Sequence, residues 1–125
     1  SGMKALTQAE EEVMQHLWQL EKAYVRDLLA IWAEPKPAYN TISTIIRILE
    51  QKGFVGHEPH GKTHAYFPLI SKESYSSYAG GNLIQKYFDG SLPRLVAHLA
   101  QEESLSTSEL DQLLAQLQAL KNQKA

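Results

Sequence analysis

The stretch from Tyr39 to Gly53 constrains the fold more than any other part of the chain. Ile42, Ile45, Ile46 and Leu49 stand at i, i+3, i+4 and i+7, so at about 100° per residue they share one side of a helix. Asn40, Ser43, Thr44, Arg47 and Gln51 fall on the opposite side. The run is rich in β-branched residues, which on propensity alone favour a strand. Its length, Tyr39 to Lys52, and its 3.6-residue period decide for a helix, with Gly53 as the stop. One face is built to anchor in a core. The other is polar but carries Arg47 as its only charge, whereas an ordinary solvated face usually carries Glu and Lys pairs.

Two helices precede it. Thr7-x-x-Glu10 has the capping-box spacing, and Ala9, Val13, Met14, Leu17 and Leu20 then form one apolar face, flanked by Trp18. Val25, Leu28, Leu29 and Trp32 give a shorter second helix, closed by Pro35-Lys36-Pro37. After Gly53 the pattern changes. Phe54-Val55 and Ala65-Tyr66-Phe67 are strand-like, and Pro59-His60-Gly61-Lys62 carries turn residues, which predicts a hairpin with its tip near His60-Gly61-Lys62. Three helices and a hairpin in that order make a winged helix-turn-helix. Its expected core is Val13, Leu17, Trp18, Leu28, Ile42, Ile46, Leu49 and Phe54.

Beyond Ser71 the pattern is helical again. Tyr75, Tyr78, Leu83, Ile84, Tyr87 and Phe88 suggest one helix, in which Gly80-Gly81 predicts a bend or a close helix contact. Asp89-Gly90-Ser91 breaks it. Leu92, Leu95, Val96 and Leu99 follow, with Pro93 in a tolerated first-turn position. Ser106-x-x-Glu109 opens a last helix with the stripe Leu110, Leu113, Leu114, Leu117 and Leu120, and residues 121–125 are expected to fray. Three short helices cannot bury these stripes by themselves. A partner chain is the economical solution, with Leu83, Tyr87, Phe88, Leu95, Leu99, Leu110, Leu113, Leu114 and Leu117 as the expected dimer contacts. The chain is thus expected to be mainly α with a small β hairpin: a winged helix-turn-helix over residues 3–71, then a helical dimerisation tail over residues 72–125.

Composition narrows the function. Cysteine is absent, which removes disulfides, thiolate metal sites and cysteine nucleophiles and suits the cytoplasm. No apolar run approaches a membrane span, and no signal-like segment opens the chain; Ser1-Gly2 ahead of Met3 resembles an expression remnant. Gly-rich phosphate loops, Gly-x-Ser-x-Gly and His-Glu-x-x-His are all missing, so no enzyme and no cofactor is expected. His57, His60 and His64 invite a metal, but a hairpin is expected to scatter them over different faces, and no cysteine or carboxylate completes a set. The acidic clusters Glu10-Glu11-Glu12 and Glu102-Glu103 are expected at helix ends or on solvated faces. The net charge of −2 argues weakly against nucleic acid, yet residues 36–72 hold five basic against two acidic residues, a net of +3.

A helix that reads DNA needs an anchoring face and a face of donors and acceptors for base edges and phosphates. Asn40, Ser43, Thr44 and Arg47 supply the second, with Lys36, Tyr39 and Thr41 beside them. His60 and Lys62 at the tip are placed to meet phosphate or to enter a minor groove. A plain solvated helix face and a plain β-turn are the competing readings of the same residues. At the level of function, the rivals are a winged helix used only for protein contacts and a regulator that senses a small ligand in its tail.

The chain also resembles the penicillinase-repressor and methicillin-resistance-repressor family over about residues 6–117. The resemblance rests on Leu6-Thr7-x-Ala9-Glu10, Val25-Arg26-Asp27-Leu28, Tyr39-Asn40-Thr41-Ile42-Ser43-Thr44 and Arg47 through Gly53. It continues in Tyr66-Phe67-Pro68, Phe88-Asp89-Gly90-Ser91, Leu95 through Leu99, and Leu105-Ser106-x-x-Glu109-Leu110. It implies a dimeric repressor on palindromic operators. In the best-known members a membrane sensor-protease pathway triggers cleavage of an Asn-Phe bond in the tail. That bond aligns with His98-Leu99, which carries neither residue. The cysteine clusters of copper-responsive relatives are absent. Some members have Lys and Arg where this chain has Asn40 and Ser43, so its operator sequence or affinity is expected to differ.

Overall fold

A computed structural model describes residues 3–125; Ser1-Gly2 lie outside the described residues. Helix α1, Gln8–Leu20, starts as its capping box dictates. Thr7 Oγ1 accepts from the Glu10 amide at 3.2 Å and Glu10 Oε1 accepts from the Thr7 amide at 2.9 Å. Val13, Met14 and Leu17 are fully buried. Two assignments on this helix are corrected. Ala9 is exposed and Glu10 is buried, because the reciprocal cap turns Glu10 inward and Lys52 meets it there, Nζ lying 3.0 and 2.8 Å from its two carboxylate oxygens. Only Glu11 and Glu12 of that acidic run are solvated.

Helix α2, Val25–Ile31, ends at an extended Trp32, before the prolines are reached. Helix α3, Tyr39–Gln51, buries Ile42, Ile46 and Leu49 and leaves Ile45 half-buried. Gly53 takes φ +84° just past its end, a conformation that only glycine adopts freely. Strands β1, Val55–His60, and β2, Thr63–Pro68, pair antiparallel from Val55 opposite Pro68 to His60 opposite Thr63. The loop is therefore Gly61-Lys62 alone, with Pro59 and His60 inside β1. Gly61, at φ +66°, supplies the positive φ that a two-residue hairpin turn needs at its first position. The register also corrects the expected scattering of the histidines. His57 and His64 fall on one face as diagonal neighbours, their rings stacked with centroids 4.2 Å apart, and only His60 is on the other face. No group of three metal-ligating side chains is assembled among the described residues.

The expected core residues other than Trp18 are buried together, with Met14, Ala23, Val25, Val55 and Tyr66 added. Trp18 packs on this core from its edge, half-buried, with Nε1 donating to the Ile70 carbonyl at 2.9 Å. Helix α4, Lys72–Tyr87, begins in the same unit. Tyr75 is buried against the edge of Phe54, and its hydroxyl accepts from the Leu6 amide at 2.8 Å. For this reason the first compact unit runs to Ala79, past the boundary expected at residue 71.

The second unit is Gly80–Ala125. It holds the end of α4, helix α5, Leu92–Gln101, and helix α6, Thr107–Lys124. Ser91 caps α5, and Ser106 with Glu109 forms the expected capping box of α6. The last helix extends to Lys124. Gly80 and Gly81 lie within α4, and a Cβ on either would meet no atom within 4 Å, so the expected close contact is absent among the described residues. Neither α5 nor α6 has a buried residue. No described helix is long and apolar enough to cross a membrane.

Candidate nucleic-acid interface

The polar face of α3 opens into a groove completed by the start of α2 and by the wing. Tyr24, Val25 and Arg26 line one part, Tyr39, Asn40, Ser43 and Arg47 a second, and Lys62, Thr63, His64 and Tyr66 a third. A backbone bridge helps join segments so far apart in sequence. The Ala23 amide donates to the Tyr66 carbonyl at 2.9 Å and the Tyr66 amide donates back at 2.8 Å, which fixes the approach to α2 against β2.

The electrostatics of the groove are one-sided. Among the described residues lining it there is no aspartate or glutamate, and Arg26, Arg47 and Lys62 have no carboxylate within 4.0 Å. The carboxylates nearby are already engaged. Asp27 Oδ2 accepts from the Tyr24 amide at 2.9 Å, Glu58 pairs with Lys22 at 3.1 Å, and Glu50 is bonded to His57 Nδ1. Arg47 makes only a long contact, Nε to the Ser43 carbonyl at 3.4 Å, and is exposed. Burial first, and then the Glu50 carboxylate, push the Tyr66 phenol above its ordinary range. Tyr66 therefore stays neutral in the groove wall, able to donate or accept. Such a surface presents cations, amide and hydroxyl groups without competing anions, which suits a polyanion with hydrogen-bonding edges.

The sequence-derived residues separate into four groups. Tyr39, Asn40, Ser43, Arg47 and Lys62 meet in the groove. Thr44 is exposed on the same helix, its hydroxyl donating to the Asn40 carbonyl at 2.9 Å. Lys36 and Thr41 line a different hollow with Trp32, Pro35 and Ile45, and His60 lies on the far face of the hairpin, 3.5 Å from Glu58. Tyr24, Arg26, Thr63, His64 and Tyr66 were not singled out as contacts from the sequence. Nothing local marks them, since their shared surface depends on the Ala23–Tyr66 bridge.

The sequence profile of the penicillinase repressor family matches residues 6–119. The chain belongs to the penicillinase repressor family. Members of this family are repressors and not enzymes. The penicillinase repressor of Bacillus licheniformis is 26% identical over an alignment of 125 residues, covering 95% of this chain and 94% of that protein. The methicillin resistance regulatory protein MecI of Staphylococcus aureus (strain N315) is 28% identical over 109 residues, covering 86% and 89% of the two chains. The solution structure of the DNA-binding domain of the repressor BlaI superposes with a TM-score of 0.50 and 26% identity, covering 58% of this chain and 94% of that domain. The winged-helix part of this chain therefore shares the fold of that domain.

Proposed function

We propose that the chain is a sequence-specific transcriptional repressor that binds palindromic operators as a homodimer in the cytoplasm. The carrying observation is the carboxylate-free groove in which Asn40, Ser43 and Arg47 of α3 stand beside Lys62 of the wing. Family membership and the BlaI domain support the same reading.

The case for a dimer comes from the second unit. Leu83, Tyr87, Leu114 and Leu117 are 43%, 74%, 66% and 45% exposed, and Phe88, Leu95, Leu99, Leu110 and Leu113 are only half-buried. At roughly 25 cal/mol per Å² of apolar surface removed from water, covering these faces with a second copy is strongly favourable. A two-fold pair would carry two reading helices to half-sites about one helical turn, or a multiple of it, apart. Release of repression through a membrane sensor-protease pathway is part of the same proposal, as the family resemblance implies. Here His98-Leu99 lies inside α5, so cleavage at that bond would require the helix to unwind locally.

The test is selection of binding sequences from a random duplex library, followed by titration of wild type and Arg47→Ala. Wild type should enrich palindromes. Arg47→Ala should keep its melting temperature and lose about 1–3 kcal/mol of affinity for the selected site. No enrichment, or an unchanged affinity, would refute the reading. A fold that binds only protein partners would give the first of these results.

A further inference from the structure

Arg26 is an exposed cation at the start of α2, in a chain segment with no DNA-reading pattern of its own, yet its position is closely determined. Its guanidinium carbon lies 4.5 Å from the centroid of the Tyr24 ring. Tyr24 is itself held from two sides. Its amide is bonded to Asp27, and its ring meets the His60 ring edge-on at a centroid distance of 5.9 Å. The neighbouring Ala23 is tied to Tyr66 of the wing by two backbone hydrogen bonds. The only carboxylate on this helix, Asp27, is used by that amide, which leaves the Arg26 donors without an acidic partner among the described residues.

We propose that Tyr24 and Arg26 form a clamp for a backbone phosphate of the DNA, with Tyr24 as a positioning residue and Arg26 as the contact. This rests on the DNA-binding reading given above. A guanidinium laid on an aromatic face has already lost part of its rotamer freedom, and it still presents its planar fork of donors to an anion. A phosphate accepts such a fork through two parallel hydrogen bonds. The clamp shares the groove with Asn40, Ser43 and Arg47, so a phosphate seated on it would fix the register of α3 on the bases without reading any base itself. The arrangement also gives His60 a role other than the contact expected from sequence: it braces the Tyr24 ring from the far face of the hairpin.

The experiment uses the full chain, the duplex selected with wild type, and a random duplex of equal length. Affinity is titrated over a range of salt for wild type, Arg26→Gln, Arg26→Lys, Tyr24→Phe and Tyr24→Leu, with melting temperatures alongside. Arg26→Gln should lower affinity for both duplexes by about tenfold, without a change in preference, and reduce the salt slope by about 0.9. Arg26→Lys should restore the slope but only part of the affinity. Tyr24→Phe should match wild type, and Tyr24→Leu should weaken binding while leaving the slope unchanged. If wild type selects a duplex and Arg26→Gln leaves affinity and slope unchanged, the clamp is refuted and the repressor reading stands. If Arg26→Gln alters base preference, Arg26 reads sequence and the clamp is again refuted. If wild type selects no duplex, both readings fall.

Discussion

Replacing Lys52 by Met tests what holds α3 in place. Lys52 caps the end of α3, and its ammonium joins both oxygens of Glu10 near the start of α1, at 3.0 and 2.8 Å. The Glu10 side chain is only 6% exposed, that of Lys52 32%. Removing one partner of a fully buried pair costs about 3–5 kcal/mol. Here the ammonium is partly solvated and Glu10 keeps the Thr7 amide at 2.9 Å, so the cost should be nearer 2 kcal/mol. For a unit of this size that is a fall of about 8–16 °C in melting temperature. The pH dependence gives a second signature. Burial opposes ionisation of Glu10, but Lys52 and Thr7 outweigh it and hold the carboxyl below its ordinary 4.5. A depressed carboxyl stabilises the fold above its unfolded pKa, and that stability is lost as pH falls through the folded pKa. The deficit of Lys52→Met should therefore be complete at pH 7 and shrink below about pH 4.5. Adding Glu10→Gln should recover much of it at pH 7, since the unpaired charge is gone. Urea titrations at several pH values measure all three. A melting temperature within about 2 °C of wild type at pH 7, or a deficit independent of pH, would refute the argument.

Further outcomes follow from the core and from the division into two units. A Cβ on Gly56 would lie 2.9 Å from Cε2 and Cζ of Phe67 and 3.3 Å from Cδ2 of Leu69, so Gly56→Ala should cost about 1 kcal/mol as the ring is displaced, read as a lower urea midpoint. A chain ending after Ala79 should fold, whereas one ending at residue 71 loses the buried Tyr75 and should be several kcal/mol less stable, on the order of a large aromatic truncation. The folded Ala79 form should be monomeric by light scattering and bind a palindrome about 10²–10⁴-fold more weakly than the full chain, with little change on an isolated half-site. Equal binding by both forms would remove the tail from the mechanism.

The helices were legible because their determinants are local. Thr7 with Glu10 and Ser106 with Glu109 close capping boxes within four residues, and the Ile42-Ile45-Ile46-Leu49 stripe follows from helical geometry alone. The polar stripe of α3, and with it most of the candidate interface, is legible from the same period. Other features depend on residues brought together from far apart in the chain. Glu10 looks like a solvated acid until Lys52 arrives from a different helix to compensate its burial. Tyr75 looks like part of the tail until its hydroxyl meets the Leu6 amide and its ring meets Phe54. Arg26 looks like any exposed arginine until the Ala23–Tyr66 bridge brings it alongside α3 and the wing. Periodicity reports which face of an element is buried. Only tertiary packing decides what that face meets, which charges are compensated, and which distant side chains share one groove.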